Sequence, residues 1–214
     1  TGTKDPFAQR RAALGICQNL IEWELHFDLQ NGLAQAAKVL TVDVSGEDQA
    51  ACLDFIQGRL RGMLLDMGFN YDVVDAALAA KGQDPYGAFL AVQSLTEWVS
   101  SDKWDEILPA FSRCVRITRD LGEVYKVDAT RLKENSEKAL LKAIRKAEDE
   151  MDDAETVDAF LTAFFPMAPV IDQFFDDVLV MDDDEAVRQN RLGLLQRVAA
   201  LSDGVADLSQ LEGF

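Results

Sequence analysis

The amino-acid sequence predicts an all-α protein, and three observations lead to that prediction. Apolar residues recur three or four positions apart over most of the chain, as on the buried face of a helix. Runs that alternate apolar and polar residues, as strands do, are nearly absent. Helix-starting Asp, Asn and Pro and helix-ending Gly residues stand between the periodic segments. With 214 residues, 48% of them hydrophobic, the chain is long enough for a helical bundle of one or two domains.

The first part of the chain carries helices that are predicted over residues 6–25, 48–67, 70–80 and 84–99. Asp5 is the predicted N-cap of the first helix, with Pro6 at its first helical position. Gly68 is suited to end the second helix, because glycine adopts the left-handed conformation without strain. Gly82 is predicted to end the third helix, and Pro85 to begin the fourth.

The second part of the chain carries helices that are predicted over residues 102–120, 135–151, 153–165, 169–180 and from 184 onward. The segment LGEVYKVDAT, residues 121–130, lacks periodicity and is predicted to be a loop. The acidic stretch Asp182–Asp184 is interpreted as the N-cap and negatively charged first turn of the last helix. A weak change in composition near residues 100–105 is the predicted boundary between two helical subdomains, 1–100 and 101–214.

The sequence offers little support for a metal or membrane site. Cys17, Cys52 and Cys114 lie far apart, so we expect reduced, buried thiols in a soluble, cytoplasmic protein. His26 has no second ligand nearby and is expected to have a structural or surface role. The stretch Asp182–Asp184 lacks the glycine and glutamate of a calcium loop. No apolar run approaches the roughly 20 residues that cross a bilayer, and the N-terminus lacks a basic-then-apolar leader.

Charge is unevenly distributed along the chain. The net charge is −17, which disfavours nucleic-acid binding by the surface as a whole. Residues 111–146 nevertheless contain ten basic and five acidic side chains, whereas residues 147–185 contain fourteen acidic and no basic ones. Because potentials act mainly within a Debye length of about 10 Å, the basic segment could still bind a phosphate chain.

Arg191 lies on the apolar face of the last predicted helix, between Val187 and Leu194. A guanidinium there must be paired or reach the surface. One interpretation is a structural ion pair, for instance with Asp172 or Asp176 on the preceding helix. The other is a fork directed at a phosphate or a base edge. The sequence leaves both interpretations open.

Four segments resemble the C-terminal part of the bacterial glycyl-tRNA synthetase beta subunit: TGTKDPFAQRRAALGI (1–16), RLRGMLLDMGFNYDVVDAAL (59–78), FSRCVRI (111–117) and FFDDVLVMDDDEAVRQNRLGLL (174–195). The last segment is also similar to the closing helices of the DALR-type anticodon-binding domain that arginyl-tRNA synthetases share. One departure is Arg116, which stands where the family usually has asparagine before an isoleucine. Arg10 and Arg11 match family arginines and are expected to be ion-paired within the helical body.

The resemblance implies a fragment of a larger enzyme, glycine–tRNA ligase. Residues 1–100 would form the end of an HD-like region and a helical linker, and residues 101–214 the anticodon-binding domain. The family resemblance places ATP- and magnesium-dependent activation of glycine on the alpha subunit, so this fragment is expected to be non-catalytic and without a cofactor. The implied partners are glycine tRNA, the alpha subunit and the remainder of the beta subunit. The anticodons of that tRNA share two cytosines.

The candidate tRNA-binding residues follow from the resemblance together with the chemistry of RNA loops, whose splayed bases stack on aromatic rings or guanidinium planes. They are Arg113, Arg116, Arg119, Tyr125, Lys126, Arg131 and Arg191. The first three recur every third residue and turn gradually around one side of a helix. An alternative function is a structural module that holds subunits together without contacting RNA. A free-standing enzyme is not supported, because no nucleophile motif or phosphate loop is present.

Overall fold

The structure, a computed structural model, describes residues 5, 7–151 and 155–214. Within those residues it contains α-helices and short 3-10 turns but no strand, which confirms the predicted all-α fold. The chain divides into two compact units, Thr1–Thr96 and Glu97–Phe214, and the division falls inside one helix. The assignment of residues 1–100 to the end of an HD-like region stays a prediction. In the part of the chain that is described, no helix is both long and apolar enough to cross a membrane.

The first unit is built from helices α1 (Gln9–Glu22), α2 (Leu29–Ala37), α3 (Gly46–Asp66), α4 (Tyr71–Lys81) and the start of α5 (Pro85–Val99). Helix α3 is its centre and packs against α1, α2 and α4. The N-terminus of α3 is fixed by a capping box, in which the Ser45 hydroxyl accepts from the Asp48 backbone N–H and the Asp48 carboxylate accepts from that of Ser45. Gly68 ends the helix with a φ of 97°, as predicted.

The N-terminal part of this unit differs from the prediction at both ends of α1 and in the presence of α2. Helix α1 ends at Glu22 rather than Leu25. Helix α1 begins at Gln9 rather than Pro6, because Ala8 has a left-handed φ of 56° that interrupts the helix. Asp5 is therefore not the N-cap, and Pro6 lies outside the described residues. Helix α2 was not predicted, since its nine-residue sequence LQNGLAQAA contains a glycine and only two large apolar residues, Leu29 and Leu33. The Asp28 side chain caps α2 by accepting from the Asn31 N–H. His26 is exposed, and its Nδ1 atom lies 2.6 Å from Asp84 Oδ2.

The second unit contains α6 (Trp104–Thr118), α7 (Asn135–Met151), α8 (Val157–Phe164), α9 (Ala168–Asp177) and α10 (Glu185–Ala200). Helix α10 packs against α6 and α7, and α9 packs against the same two helices. Its core is aromatic: Phe111 of α6 meets Phe160 and Phe164 edge-on, with ring centroids 5.8 and 5.5 Å apart. Such edge-to-face pairs stabilise a core beyond the area they bury. Residues 121–131 form a loop and a 3-10 turn between α6 and α7, as predicted.

Several helix boundaries of this unit differ from the prediction. Helix α6 runs over Trp104–Thr118 and is two residues shorter at each end than the predicted 102–120. Helix α9 ends at Asp177, three residues before Val180, because Val178 is already extended. Helix α8 begins at Val157, where the Thr156 hydroxyl accepts from the Ala159 N–H; residue 153, its predicted start, lies outside the described residues. The predicted N-cap is confirmed, since the Asp184 carboxylate caps α10 by accepting from the N–H groups of Ala186 and Val187. The first-turn acid is Glu185, because Asp182 and Asp183 precede the cap.

The three cysteines are free thiols in different environments. Cys17 and Cys114 are buried, but Cys52 is exposed. The prediction of a buried thiol was therefore wrong for Cys52. The buried stripe of α3 runs through Ile56, Leu60 and Leu64, and the turns before Ile56 carry no buried residue. Burial raises the pKa of the Cys17 thiol to about 11 and also raises the pKa of the Cys114 thiol.

We expect a thiol reagent to label Cys52 alone in the folded protein at mildly alkaline pH. The reactive species is the thiolate, which burial disfavours at Cys17 and Cys114. Labelling with Ellman's reagent should give one fast thiol, with the other two reacting only after denaturation. The Cys52→Ser variant is the control and should lose the fast phase. Fast labelling that persists in this variant would contradict the burial of the other two cysteines.

Candidate nucleic-acid interface

The three predicted arginines, Arg113 and Arg116 in α6 and Arg119 directly after it, are all exposed, but their neighbours differ. Arg113 donates to Asp172 Oδ1 at 2.9 Å and lies over the Phe175 ring, 4.2 Å from its centroid. Arg116 lies over the ring of Phe214, 5.7 Å from its centroid, and forms no ion pair among the described residues. Arg119 is 3.7 Å from the exposed carboxylate of Asp120. The helix therefore turns one arginine toward α9 and the next toward the last residue of the chain.

A groove of about 430 Å³ adjoins the end of this arginine row. Apolar side chains, among them Phe111, Val115 and Val124, line it together with the Phe214 ring. Arg119 and Arg197 add positive charge to the lining, and Asp203 and Asp207 add negative charge. The groove therefore has both apolar and charged walls. An apolar surface beside a guanidinium is the setting in which a splayed base stacks. Phe214 and Val124 were not predicted as candidates.

The loop that carries Tyr125, Lys126 and Arg131 is held by polar side chains of α10. Asn190 accepts from the Asp128 N–H at 2.7 Å and donates to the Asp128 carbonyl at 3.2 Å. One turn and a half further along, Gln196 accepts from the Tyr125 N–H at 2.8 Å and donates to the Glu123 carbonyl at 2.7 Å. Both amides are bound by backbone groups, so the loop backbone is held against α10 at two points.

Gly193 lies between those two anchors and allows the loop to approach α10. A Cβ atom added there would be 2.7 Å from the Tyr125 carbonyl oxygen and 3.2 Å from Val127 Cγ2. Asn190, Gly193 and Gln196 are three residues apart and share one side of α10. The sequence NRLGLLQR therefore contains a loop-binding face, which its apolar periodicity does not reveal.

The loop candidates themselves face different surroundings. Tyr125 is half-buried, whereas Lys126 is exposed and has no polar partner among the described residues. Arg131 is 3.3 Å from the Asp128 carboxylate, whose pKa is held below its ordinary range by hydrogen bonds from Thr130 and by the charge of Arg131. Lys126 is thus free of a polar partner among the described residues, whereas Arg131 forms a surface ion pair with Asp128.

Arg191 is buried and engaged with protein groups. It donates to Glu137 Oε1 at 2.6 Å, to Asp182 Oδ2 at 2.9 Å and to the Leu179 carbonyl at 2.9 Å. The structural interpretation of Arg191 is confirmed, but its predicted partners, Asp172 and Asp176, were wrong. Asp172 instead pairs with Arg113 on the side of α9 that faces α6.

Glu137 makes this ion pair part of a helix cap. Its other carboxylate oxygen accepts from the N–H groups of Lys133 at 2.7 Å and Glu134 at 2.9 Å, at the start of α7. The Asp182 carboxylate accepts from the Asp184 N–H, and this bond together with Arg191 holds the pKa of Asp182 below its ordinary range. A single buried guanidinium therefore joins α10 to the start of α7 and to the α9–α10 connection. Sequence periodicity does not indicate Glu137.

Two family models match the chain, one over each unit. Residues 1–79 match the glycyl-tRNA synthetase beta subunit, and residues 107–206 match the DALR anticodon binding domain. Among curated proteins, the glycine–tRNA ligase beta subunits of Desulforapulum autotrophicum and Syntrophomonas wolfei are 34% and 33% identical to this chain over 99% of its length. The chain belongs to the glycyl-tRNA synthetase beta subunit family. It spans 32% of the length of each of those two relatives.

The anticodon-binding match of this family member covers the arginine row, the anchored loop and the buried Arg191, since all lie within residues 107–206. Phe214 lies beyond that match. Arg11, one of the two N-terminal arginines, is 3.8 Å from Asp5 within the first unit. Among residues 5, 7–151 and 155–214, no group of three or more His, Cys, Asp or Glu side chains is arranged to hold a metal ion.

We expect the Arg191→Met variant to lose about 3–5 kcal/mol of unfolding free energy, because it leaves the buried Glu137 carboxylate without its countercharge. Chemical denaturation measures this loss. The matched control on the same helix is Arg197→Met, whose partly exposed pair with Glu148 is worth about 0–1 kcal/mol. Adding Glu137→Gln to Arg191→Met should recover part of the loss, since the amide still accepts from the backbone. Equal losses for the two arginine variants would contradict a structural role of the buried pair.

We expect Gly193→Ala to destabilise the second unit by about 1–3 kcal/mol, because the new methyl group would collide with the Tyr125 carbonyl. The control is Gly122→Ala in the same loop, where a Cβ meets nothing within 4 Å. That change should be neutral or stabilise by about 0.4–1 kcal/mol through the unfolded state. Urea unfolding separates the two, and a neutral Gly193→Ala would show that the loop does not rest on α10.

Proposed function

We propose that the second unit recognises the anticodon loop of glycine tRNA, as the tRNA-binding part of a glycine–tRNA ligase beta subunit. One observation carries the proposal: Arg119, directly after α6, lines an amphipathic groove together with Phe214, the ring next to Arg116, and both arginines lie in the region that matches an anticodon-binding domain family. Stacking surface and positive charge are the two requirements for binding an unpaired RNA loop. The anchored loop at residues 123–128 supports it by keeping the groove in one shape.

Each candidate residue has a distinct role in this proposal. Arg116 and the Phe214 ring beneath it form a stacking surface for a splayed base. Arg119 and Lys126 bind phosphates on either side of Val124. Arg113 contributes only if RNA competes with Asp172, and Tyr125 and Arg131 shape the loop. Arg191 has no direct part, since its guanidinium is buried among protein acceptors.

The activity of the whole enzyme goes beyond this chain. We propose that glycine is activated with ATP and magnesium on an alpha subunit, in the cytoplasm, and that this chain contributes recognition rather than catalysis. The remainder of the beta subunit and the alpha subunit are then its protein partners. The relatives that support this are named glycine–tRNA ligase beta subunits.

A second function, holding subunits together, is favoured by the surface of the first unit. Its exposed large apolar side chains include Phe7, Trp23, Val39 and Val42, which are 81%, 72%, 82% and 66% exposed. Large exposed apolar groups are typical of protein contacts. Tight binding to the alpha subunit by a chain with no RNA affinity would favour this second function over anticodon recognition.

We expect the chain to bind a fluorescent anticodon stem-loop of glycine tRNA more tightly than one whose two shared cytosines are replaced. Arg116→Gln should weaken binding of the native loop about tenfold, since a stacked base contributes about 1–3 kcal/mol and about 1.4 kcal/mol is a factor of ten. Fluorescence anisotropy at low and moderate salt measures both affinities. Arg113→Gln should have a smaller effect, because Arg113 is already paired with Asp172.

The matched control is Arg59→Gln in the first unit. Arg59 also lies over an exposed phenylalanine, 5.4 Å from the Phe55 ring centroid, but outside the anticodon-binding match. It should leave the affinity within about twofold of the unmodified chain, as for a surface change away from the site. Equal affinity for the two loops, or equal effects of Arg59→Gln and Arg116→Gln, would overturn the proposal.

A further inference from the structure

A second, smaller hollow lies beside the turn that follows the anchored loop. It has a volume of about 200 Å³ and is formed by α7 and the turn that precedes it. Its lining consists of Ala129, Leu132, Leu141, Lys138, Lys142 and Arg145. We call this feature the α7 hollow. None of its three cations is among the residues that the sequence marks as candidates for RNA binding.

The α7 hollow is positive, and the described residues that line it include no acid. Lys138, Lys142 and Arg145 occur at helical spacings of four and three, which places them on one side of α7. Lys138 Nζ donates to the Lys133 carbonyl, but Lys142 and Arg145 form no ion pair among the described residues. Like charges at these spacings repel by a few tenths of a kcal/mol per pair. These three cations stand together although acidic residues outnumber basic ones in the chain as a whole.

The floor of the α7 hollow is apolar and fixed. Leu132 and Leu141, which form it, are each 5% exposed. Asp128 directly precedes Ala129, which lines the hollow, and both its backbone N–H and its carbonyl are hydrogen-bonded to the Asn190 side chain. An apolar floor with cations around it fits a ligand that has an uncharged part and a phosphate, such as the ribose-phosphate unit of a nucleic acid.

The position of the α7 hollow relates it to the groove beside Arg119. Val124 lines that groove and Ala129 lines the α7 hollow, so the two lie at opposite ends of one short loop. Five residues span at most about 18 Å, a distance that a few nucleotides of single-stranded RNA cover. The exposed Lys126 stands between them. The same RNA strand can therefore reach both surfaces.

We propose that the α7 hollow binds the phosphodiester backbone of RNA next to the anticodon loop, independently of base sequence. The proposal rests on the function proposed above and deepens it, because it assigns a phosphate contact to residues outside the arginine row. Lys142 and Arg145 supply the charge, and the Leu132–Leu141 floor receives the ribose. Bases are read elsewhere, so the hollow contributes to the affinity for RNA and to its position on the protein, but not to the preference for one base sequence over another.

The test uses the whole chain with Lys142→Gln or Arg145→Gln and the two stem-loops described above. Lys146→Gln is the matched control: it removes one charge from the same helix, but Lys146 is 3.4 Å from Glu150 and does not line the hollow. Each hollow variant should weaken both stem-loops by a similar factor of about three to ten and lower the salt slope by about 0.7–0.9, the value for one lost phosphate contact. The ratio of the two affinities should stay unchanged. The control should alter neither stem-loop by more than about twofold.

The outcomes separate this inference from the proposed function. If the hollow variants bind both stem-loops as tightly as the control does, the inference is overturned, while a retained preference for the native loop leaves anticodon recognition standing. If the variants weaken both stem-loops but the unmodified chain shows no preference, the α7 hollow is a phosphate site and anticodon recognition fails. Binding too weak to measure for either stem-loop at low salt would overturn both. Circular dichroism of each variant checks that the helices are retained.

Discussion

The buried ion pair between Arg191 and Glu137 is the interaction on which the second unit depends. It is 2.6 Å long, and the two side chains are only 8% and 3% exposed. Removing two charges from water is costly, so such a pair is weak evidence for high stability by itself. What it fixes here is arrangement. The other hydrogen bonds of the two groups run to the start of α7 and to the α9–α10 connection, so the pair holds three segments in register.

Helix α10 consequently makes contacts in three directions. Leu194, Leu195 and Val198 enter the core, Arg191 binds α7, and the Asn190–Gly193–Gln196 side receives the loop. The apolar face that the sequence predicts for this helix therefore accounts for only one of its three contacts. A helix that is buried by other helices on one side and by loop backbone on another needs amides and glycine where a surface helix would carry charges. The candidate RNA surface thus takes its geometry from α10, because the same helix packs in the core and anchors the loop.

The sequence was informative about helices and much less so about contacts between them. Most helices were predicted because periodicity and caps are local properties, whereas α2 was missed because it is only nine residues long and its two leucines form a single pair at helical spacing. The burial of Arg191 follows from helical spacing, but its partner Glu137 is 54 residues away and cannot be found by spacing. Cys52 was expected to be buried from its residue type, yet it lies on an exposed turn of α3. Phe214 carries no sequence signal at all, since its role depends on where the chain returns to Arg116.

The distribution of acids explains how a chain with a net charge of −17 presents positive surfaces. Acids of the segment 147–185 are used in part to neutralise cations from other helices: Asp172 binds Arg113, Asp182 binds Arg191, and Glu148 binds Arg197. Arg116, Lys126, Lys142 and Arg145 have no such counterpart among the described residues, so no acid of this segment neutralises their charge. Repulsion of a polyanion by the whole chain acts over distances that salt screens, whereas contacts at these cations act within a few ångströms. The RNA binding proposed above therefore depends on placing phosphates at those few positions, and for that proposal the fixed backbone of the loop matters more than the total charge.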